Sequence, residues 1–199
     1  MILQGFKSNL KRLDLCRPQH RILLAVSGGI DSLVMAHLFK EAGYDCAIAH
    51  CNFQLLGKDS HLDEAFVRSV AAKLEIPVYV RLFDVEKEMR ERGISLQMAA
   101  RDLRYEWFEE LLTEHSLDRV ATAHNKNDSV ETFFLNLSRG SGIRGLKGIP
   151  PHRGRIIRPL LFATRDQIES YQQSRKIEYR EDASNLETKY QRNKILSLI

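Results

Sequence analysis

The stretch Ile22–Phe39, ILLAVSGGIDSLVMAHLF, joins two different hydrophobic patterns. An apolar run typical of a buried strand ends at Val26, and a helical pattern begins at Asp31. The small polar turn Ser27–Gly29 lies between them. A strand, a glycine turn and a helix in this order present backbone N–H groups and the positive end of a helix dipole to an anion. The stretch therefore predicts an α/β fold with a phosphate site after its first strand.

Similar alternation continues along the chain and predicts one doubly covered sheet. The predicted strands are Arg21–Val26, Cys46–Cys51, Val78–Phe83, Arg119–Ala123 and Ile156–Leu161. The predicted helices are Asp31–Ala42, His61–Leu74, Ser95–Glu114, Asn127–Arg139 and Thr164–Lys176. Strands that alternate with helices form βαβ units. We expect an open, parallel, five-stranded, Rossmann-like sheet with helices on both faces.

The composition sets further limits on the chain. Its 199 residues are 43% hydrophobic, and no apolar run is long enough to span a bilayer. Met1–Arg17 has no apolar segment or cleavage site of a secretion signal, which favours a cytoplasmic location. The 3 cysteines, which form no CxxC pair, are expected to be reduced thiols. We expect one domain over residues 1–199, with a core at about 18–180 and a connecting helical segment starting at 181.

The charge of the chain is unevenly distributed, although its formal value is only +4. No acidic residue lies between Glu131 and Asp166. The basic residues of that interval are Arg139, Arg144, Lys147, Arg153, Arg155, Arg158 and Arg165. A stretch with one sign of charge attracts phosphates. An ordinary basic surface loop is the alternative, because the part from Gly140 to Gly154 is rich in glycine and proline.

Within the glycine turn, Asp31 requires an explanation. Gly28 and Gly29 let the backbone approach a phosphate closely, and Ser32 adds a hydroxyl donor. A carboxylate beside a phosphate repels it unless a cation lies between them, and Mg²⁺ binds one or two carboxylates together with phosphate oxygens. Asp31 therefore favours a nucleotide carried with Mg²⁺. Alternatively, Asp31 or Ser32 caps the helix.

Two other phosphate-binding motifs can be excluded, one by its residues and one by its structural context. Gly57-Lys58 is followed by Asp59, which does not fit the G-x-x-x-x-G-K-[ST] pattern of a P-loop. The segment Gly140–Gly145 fits G-x-G-x-x-G, but it follows a helical pattern rather than a strand. Pro150 and Pro151 then leave no helix to receive a pyrophosphate. We interpret the segment as a flexible basic loop.

The phrase AVSGGIDS closely resembles the pyrophosphate-binding loop of the ATP pyrophosphatase, or PP-loop, superfamily, whose pattern is SGGxDS after a first strand. Further stretches narrow the resemblance to the tRNA(Ile)-lysidine synthases, a family of bacterial enzymes. These are AHCNFQLLGKDSHLDEAFV, LQMAARDLRYEWF, ATAHNKNDSVETFFLNLSRGSGIRGLKGIPPHRGRIIRPLL and EDASNLETKYQRNKI. The resemblance runs from about Arg21 to the end of the chain.

The resemblance implies an ATP-dependent ligase that attaches lysine to the wobble cytidine of a tRNA(Ile) with a CAU anticodon. It implies ATP contacts from Ser27, Gly28, Gly29, Ile30, Asp31, Ser32 and His50. It implies catalytic roles for Asp31 through Mg²⁺, for Arg101 as a clamp on the α-phosphate, and for His124, Asp128 and Glu131. The last three residues would also bind lysine. The tRNA contacts would come from Arg104, Arg139, Arg144, Lys147 and Arg192.

Spacing alone leaves some of these roles open. Asp128 and Glu131 share one helix face, which suits an ammonium group, yet acidic residues also occur at helix N-termini because the dipole favours them. Arg101 and Arg104 lie one turn apart and could form an exposed helix stripe. The family also implies a homodimer and C-terminal tRNA-binding domains, and we expect those domains to be absent from residues 1–199.

Two other functions compete with lysidine formation. Another PP-loop ATPase, such as a tRNA thiolation enzyme, generally needs a catalytic or cluster-binding set of cysteines, and Cys16, Cys46 and Cys51 do not have such a spacing. A nucleotide-binding module without catalysis would leave Asp31 and the acidic pair unexplained. Release of pyrophosphate would distinguish an enzyme from a binding module.

Overall fold

The computed structural model describes residues 2–55, 58–138, 140 and 148–180. The helices are α1 (Ile2–Arg12), α2 (Ile30–Ala42), α3 (Lys58–Leu74), α4 (Val85–Arg92), α5 (Leu96–Glu114), α6 (Lys126–Ser138) and α7 (Arg165–Arg175). The strands are β1 (Arg21–Ala25), β2 (Asp45–Asn52), β3 (Val78–Leu82), β4 (Arg119–Ala121), β5 (His152–Arg153) and β6 (Ile156–Ile157).

The strands form one sheet in the order β3-β2-β1-β4-β6-β5. Five of them, β3, β2, β1, β4 and β6, are parallel, which confirms the predicted sheet, and the short β5 adds an antiparallel edge beside β6. The chain order reverses at β1, which lies between β2 and β4. In open α/β sheets, ligands bind at such a switch point, outside the carboxyl ends of the strands. The crevice between the ends of β1 and β4 is therefore the expected binding site.

Helices cover both faces of the sheet, as predicted. Alternate side chains of a strand point to opposite faces, and β1 follows this rule. Ile22 and Leu24 are buried in a cluster with α1, α2, α3 and α7, whereas Leu23 is buried in a second cluster with α4 and α5. The central strand is therefore apolar on both faces, and this burial fixes its register and the position of the turn that follows it.

The structure differs from the predicted elements at α1, α4 and β6. Helix α1 buries Phe6 and Leu10 while Lys7 and Lys11 stay exposed, so the apolar residues that look scattered in sequence form one helix face. Helix α4 is short and strongly charged, and the side chain of Asp84 caps it. Strand β6 ends at Ile157 instead of continuing to Leu161, since Pro159 has no N–H to donate to a strand ladder.

Two predictions from composition can be compared with the structure. The cysteines are all free, with Cys16 and Cys46 buried and Cys51 half-buried, in agreement with reduced thiols. Within the described ranges, every helix is too short or too polar to cross a membrane.

Candidate active site

Three hydrogen bonds among Ser27, Gly29 and Ser32 form a ring in the turn after β1. The Gly29 N–H donates to the Ser27 hydroxyl at 3.3 Å, and the Ser32 hydroxyl donates to the Gly29 carbonyl at 2.8 Å. The two hydroxyl oxygens lie 3.4 Å apart and close the ring. Gly28 has a φ of +103°, a left-handed conformation that strains any residue with a Cβ atom.

Helix α2 begins at Ile30, and Gly29 is its N-cap. The N-cap is therefore neither Asp31 nor Ser32, and Gly29 has no side chain that could cap the helix. The first N–H groups of a helix have no backbone partner within the helix. The Asp31 carboxylate accepts from its own N–H, and this positive end of the helix suits an external anion.

Asp31 lies at the start of α2 and faces the crevice between β1 and β4. Asn125 Nδ2 donates to its Oδ1 at 3.1 Å, and Arg165 Nη1 donates to its Oδ2 at 2.7 Å. Burial raises the pKa of the Asp31 carboxyl, while Arg165 and the hydrogen bond from Asn125 act in the opposite direction. The carboxylate is therefore half-buried, and cationic and amide donors already compensate its charge.

The loop after β4 forms the other wall of the crevice. The Asn125 N–H donates to Asp128 Oδ2 at 2.9 Å, and the Asp128 N–H donates to Asn125 Oδ1 at 3.1 Å. This reciprocal pair is a capping box for α6. Asp128 thus helps to cap the N-terminus of α6, the structural role that its position at a helix N-terminus suggested. Through Asn125 it is also linked to Asp31.

His124 lies at the same edge, where its Nδ1 is 3.1 Å from the Thr122 hydroxyl. Burial lowers the pKa of His124; Asp128 raises it, and the positive charges of Arg158, Arg101 and Arg104 lower it further. The imidazole is therefore neutral at pH 7 and can accept a proton. Glu131 is half-buried one turn after Asp128 on α6.

The two arginines of α5 differ in burial, so they do not form a uniformly exposed helix stripe. The Arg104 guanidinium stacks on Phe53 at 5.2 Å from the ring centroid, next to the end of β2, and it is half-buried. The Arg101 guanidinium lies 4.9 Å from the centroid of Tyr105 and is exposed. Phe53 directly follows β2, so the Arg104 guanidinium lies beyond the carboxyl end of that strand.

Arg158, at the end of β6, is a buried cation of the same edge. It is 6% exposed, its Nη1 donates to the Pro150 carbonyl at 2.8 Å, and its Nε has no partner among the described residues. Burial lowers the pKa of its guanidinium, whereas the hydrogen bond with Tyr105 raises it. Arg158 therefore connects the base of the basic loop with α5 and the surroundings of His124.

His50 lies near the end of β2 and is 3% exposed. Its Nδ1 is 2.9 Å from the Val26 carbonyl, which can only accept, so Nδ1 carries the proton. Burial lowers the pKa of His50, and the imidazole is therefore neutral with Nε2 as an acceptor. Nε2 is buried and has no partner among the described residues. The contact joins β2 to the residue that precedes the glycine turn.

Several predicted tRNA contacts lie outside the described residues. These are Arg139, Arg144, Lys147 and Arg192. The described part of the basic run divides between the two edges of the sheet. Arg158 and Arg165 lie at the carboxyl edge, whereas Arg155 bonds the Leu117 and Asp118 carbonyls before β4, at the opposite edge. The run is therefore not one continuous phosphate-binding surface.

Sequence reasoning missed three residues of this site. Asn125 could have been found, because Asn125-x-x-Asp128 has the spacing of a capping box. Arg165 and Arg180 had no local signal. Arg180 donates from its N–H to the Gly28 carbonyl at 3.1 Å and from Nε to Asp63 at 2.5 Å, which brings the segment after α7 onto the glycine turn.

A magnesium ion at Asp31 is compatible with this geometry only if the nucleotide supplies further ligands. The described residues contain no cluster of three or more His, Cys, Asp or Glu side chains that could hold a metal ion by themselves. Asp31 provides one carboxylate in a position that already attracts a cation, the guanidinium of Arg165. One carboxylate together with phosphate oxygens is a ligand set that Mg²⁺ accepts. The residues therefore fit the ion as part of a nucleotide complex.

Comparison with known sequences gives one consistent result. A family model described as a PP-loop domain matches residues 3–199. A tRNA(Ile)-lysidine synthase of Porphyromonas gingivalis is 49% identical over 173 residues, which cover 86% of this chain and 38% of the relative. One of Bacteroides thetaiotaomicron is 43% identical over 195 residues, or 98% of this chain and 46% of the relative. The chain thus spans less than half the length of these two relatives.

Among solved structures, the chain is similar to a U34-tRNA thiolase, NcsA, from Methanococcus maripaludis with its [4Fe-4S] cluster. The TM-score is 0.71 at 18% identity, covering 90% of this chain and 66% of the other. At this level of identity the likeness concerns the fold. The likeness agrees with the mostly parallel sheet.

Proposed function

The chain belongs to the PP-loop domain family, and on this basis we propose that it ligates lysine to the wobble cytidine of a tRNA(Ile) with a CAU anticodon, with ATP as the second substrate. The relatives named tRNA(Ile)-lysidine synthase support the choice of reaction. The whole reaction is proposed here, because the chain covers less than half of their length.

The observation that carries the proposal is the link across the crevice from Asp31 through Asn125 to Asp128. Asp31 belongs to the glycine turn, whose backbone suits phosphates. Asp128 stands beside His124, whose neutral ring suits proton removal. The Asn125 side-chain amide donates to Asp31 at 3.1 Å, and the Asn125 backbone N–H donates to Asp128 at 2.9 Å. The proposed nucleotide side and amine side are thus joined through one residue.

In the first step, the cytidine O2 attacks the α-phosphorus of ATP, and the bond to the pyrophosphate oxygen breaks. Ser27, Ser32 and the backbone of Gly28, Gly29 and Ile30 would hold the leaving pyrophosphate. Mg²⁺ held by Asp31 would neutralise charge on the phosphate oxygens. Arg101 on α5, an exposed cation, would clamp the α-phosphate. His50 would support the turn from beneath through Val26, or lie beside the adenosine.

In the second step, the lysine ε-nitrogen attacks C2 of the cytidine, the C2–O bond breaks and AMP leaves. Free lysine is charged near pH 7, so a proton must be removed before the attack. Asp128 and Glu131 would hold the ammonium group, and His124 would take its proton. The lowered pKa of His124 supports this role, since the ring is neutral at pH 7.

Arginines at the carboxyl edge are suited to the tRNA. Arg104 is stacked on Phe53, and Arg158 fixes the base of the basic loop that contains Arg139, Arg144 and Lys147. Arginine is well adapted to phosphates because its planar guanidinium can bond two oxygens. These contacts, the role of Arg192, a homodimer and a cytoplasmic location stay predictions.

A tRNA thiolation reaction is the second candidate, since a thiolase shares the fold. The cysteines of this chain are poorly suited to it. Burial raises the pKa of Cys46 and of Cys51 to about 12 and that of Cys16 to about 11. Sulfur transfer needs a thiolate or a cluster ligand. These thiols stay protonated at neutral pH, which favours the ligase.

The test is transfer of labelled lysine by the full-length protein, with ATP and Mg²⁺, to a tRNA(Ile) transcript with a CAU anticodon. The matched control transcript differs only by uridine in place of the wobble cytidine. We expect lysine in the first transcript alone, together with equal amounts of pyrophosphate and AMP. Pyrophosphate release without lysine transfer would retain the ATP chemistry and exclude the proposed amine. No release at all would favour a nucleotide-binding module.

A further inference from the structure

Arg165 makes a set of contacts that neither the motif nor the proposed reaction explains. Its Nη1 donates to Asp31 Oδ2 at 2.7 Å, its Nε to Glu169 at 2.6 Å, and its backbone N–H to Asn127 at 3.1 Å. Asp31 and Arg165 are 134 residues apart in the chain. A cation from the first turn of α7 thus reaches the carboxylate of the glycine turn.

The surrounding residues fix Arg165 in this position. Thr164 and Gln167 form a capping box that sets the start of α7. Glu169, one turn further, holds the guanidinium from the side away from Asp31. Asn125 occupies the other oxygen of Asp31, so both carboxylate oxygens have a donor. The arrangement is a preformed ion pair with side chains that are 39% and 27% exposed.

We propose that Arg165 is the resident counter-ion of Asp31, and that a divalent cation must displace it. Binding of the cation at Asp31 then depends on the nucleotide. The inference rests on the proposed function in one respect, namely that Asp31 is the carboxylate that receives the cation.

The physical reason is a competition for one carboxylate. A cation that arrives alone gains a single protein carboxylate and must break a charge-assisted hydrogen bond to obtain it. A cation that arrives with ATP also keeps its bonds to phosphate oxygens. Arg165 also removes a cost, because an uncompensated carboxylate beside the phosphates would repel ATP. The pair therefore discriminates against the free cation relative to the cation–nucleotide complex, whose phosphate contacts offset the loss of the ion pair.

Binding of Mn²⁺, followed by the paramagnetic resonance of the free ion, tests this directly in the whole chain without measuring turnover. In the absence of nucleotide we expect Arg165→Gln to bind Mn²⁺ about fivefold more tightly than the natural chain, the size expected for loss of a partly exposed ion pair. Glu169→Gln should have the opposite effect, since Arg165 then has Asp31 as its only carboxylate among these contacts. Arg175→Gln, on the same helix but paired with Glu41, is the matched control and should change nothing.

Two outcomes are separable. If Arg165→Gln binds Mn²⁺ no better than Arg175→Gln, the counter-ion inference is wrong. If Asp31→Asn binds the Mn²⁺–ATP complex as tightly as the natural chain in equilibrium dialysis, the assignment of the cation to Asp31 is wrong instead. The double variant Asp31→Asn with Arg165→Gln should not show the tighter Mn²⁺ binding of the single Arg165→Gln variant. This result would exclude a new cation site elsewhere.

Discussion

The glycine turn Ser27–Gly29 depends on the backbone conformation of Gly28. Its φ of +103° allows the chain to leave β1 and enter α2 sharply, and its carbonyl accepts from the Arg180 N–H. An added Cβ would lie 3.6 Å from Val67, which is ordinary contact. The need for glycine is therefore one of backbone conformation rather than of space. Gly43, with a φ of +84° at the end of α2 and open space around it, has the same need away from the site.

Alanine at Gly28 or at Gly43 should lower the stability by a similar amount, but the two substitutions should differ in their effect on the affinity for ATP. We expect Gly28→Ala and Gly43→Ala each to lower the free energy of unfolding by about 1–2 kcal/mol, because both force a residue with a Cβ into the left-handed region. Only Gly28→Ala should weaken ATP binding, by about tenfold or more, since it distorts the amides that face the phosphates. Urea unfolding and calorimetric titration with ATP measure the two effects. Equal ATP affinities in the two variants would contradict the assigned turn.

At the scale of elements, the base of the basic loop is fixed between α6 and β6. Ser129 Oγ accepts from the Ile149 N–H at 3.2 Å, and Arg158 holds the carbonyls of Pro150 and Pro151. Gly148 has a φ of +65°, and a Cβ there would lie 2.6 Å from Ser129 Oγ. The backbone at Gly148 therefore passes Ser129 of α6 so closely that only glycine is permitted there.

Substitutions at Gly148 and Ser129 should be strongly coupled. Gly148→Ala should lower the free energy of unfolding by about 2–3 kcal/mol through left-handed strain and overpacking. Ser129→Ala should cost about 1 kcal/mol, because the Ile149 N–H loses its acceptor. In the double variant the clash with Oγ is gone, so the total should be smaller than the sum of the two costs. Strict additivity in thermal unfolding would show that the close approach does not exist.

The elements also show how far sequence can predict this site. The parallel sheet, the glycine turn and the positions of His124, Asp128 and Glu131 follow from local patterns, because strand ends in a parallel sheet meet at one edge. The ion pair of Asp31 and Arg165 cannot be predicted from local patterns. Its two residues are 134 positions apart, and the sequence around either one does not indicate the other. Helix α1 was missed for a different reason: its apolar spacing is helical, but so short a pattern is ambiguous until Phe6 and Leu10 are seen to be buried.

At the scale of the whole molecule, burial keeps several histidines neutral. The pKa values of His37, His50 and His124 are all lowered from 6.5, chiefly by burial. As the pH falls below 6.5, the unfolded chain binds protons that the folded chain does not, so stability is lost. Burial acts in the opposite direction on Asp31, whose pKa is raised, and the folded state gains from protonating it at lower pH.

The free energy of unfolding should therefore fall between pH 7.5 and pH 5.5. Urea unfolding at closely spaced pH values measures the slope, which equals the difference in bound protons. His50→Gln should reduce this slope, because it removes one buried neutral ring. His61→Gln, at an exposed position on α3, should leave the slope unchanged. Stability that rises on acidification through this range would contradict the buried neutral histidines.

At the scale of the whole molecule, the proposed function assigns two chemistries to opposite walls of the crevice between β1 and β4. The wall after β1 carries Asp31 and the phosphate turn, and the wall after β4 carries His124, Asp128 and Glu131. If the walls serve different steps, the corresponding variants should fail at different steps. Asp166→Asn, an exposed acidic residue beside Arg165, is a control for loss of charge near the site.

The most direct measurement follows pyrophosphate release and lysine transfer in parallel, with the CAU transcript and the full-length protein. Asp31→Asn should lose both, by about 100-fold or more, because the first step fails. Glu131→Gln should retain pyrophosphate release and lose lysine transfer by a similar factor, while Asp166→Asn retains both. Loss of pyrophosphate release in Glu131→Gln, equal to that in Asp31→Asn, would contradict the division of the crevice into a nucleotide wall and an amine wall.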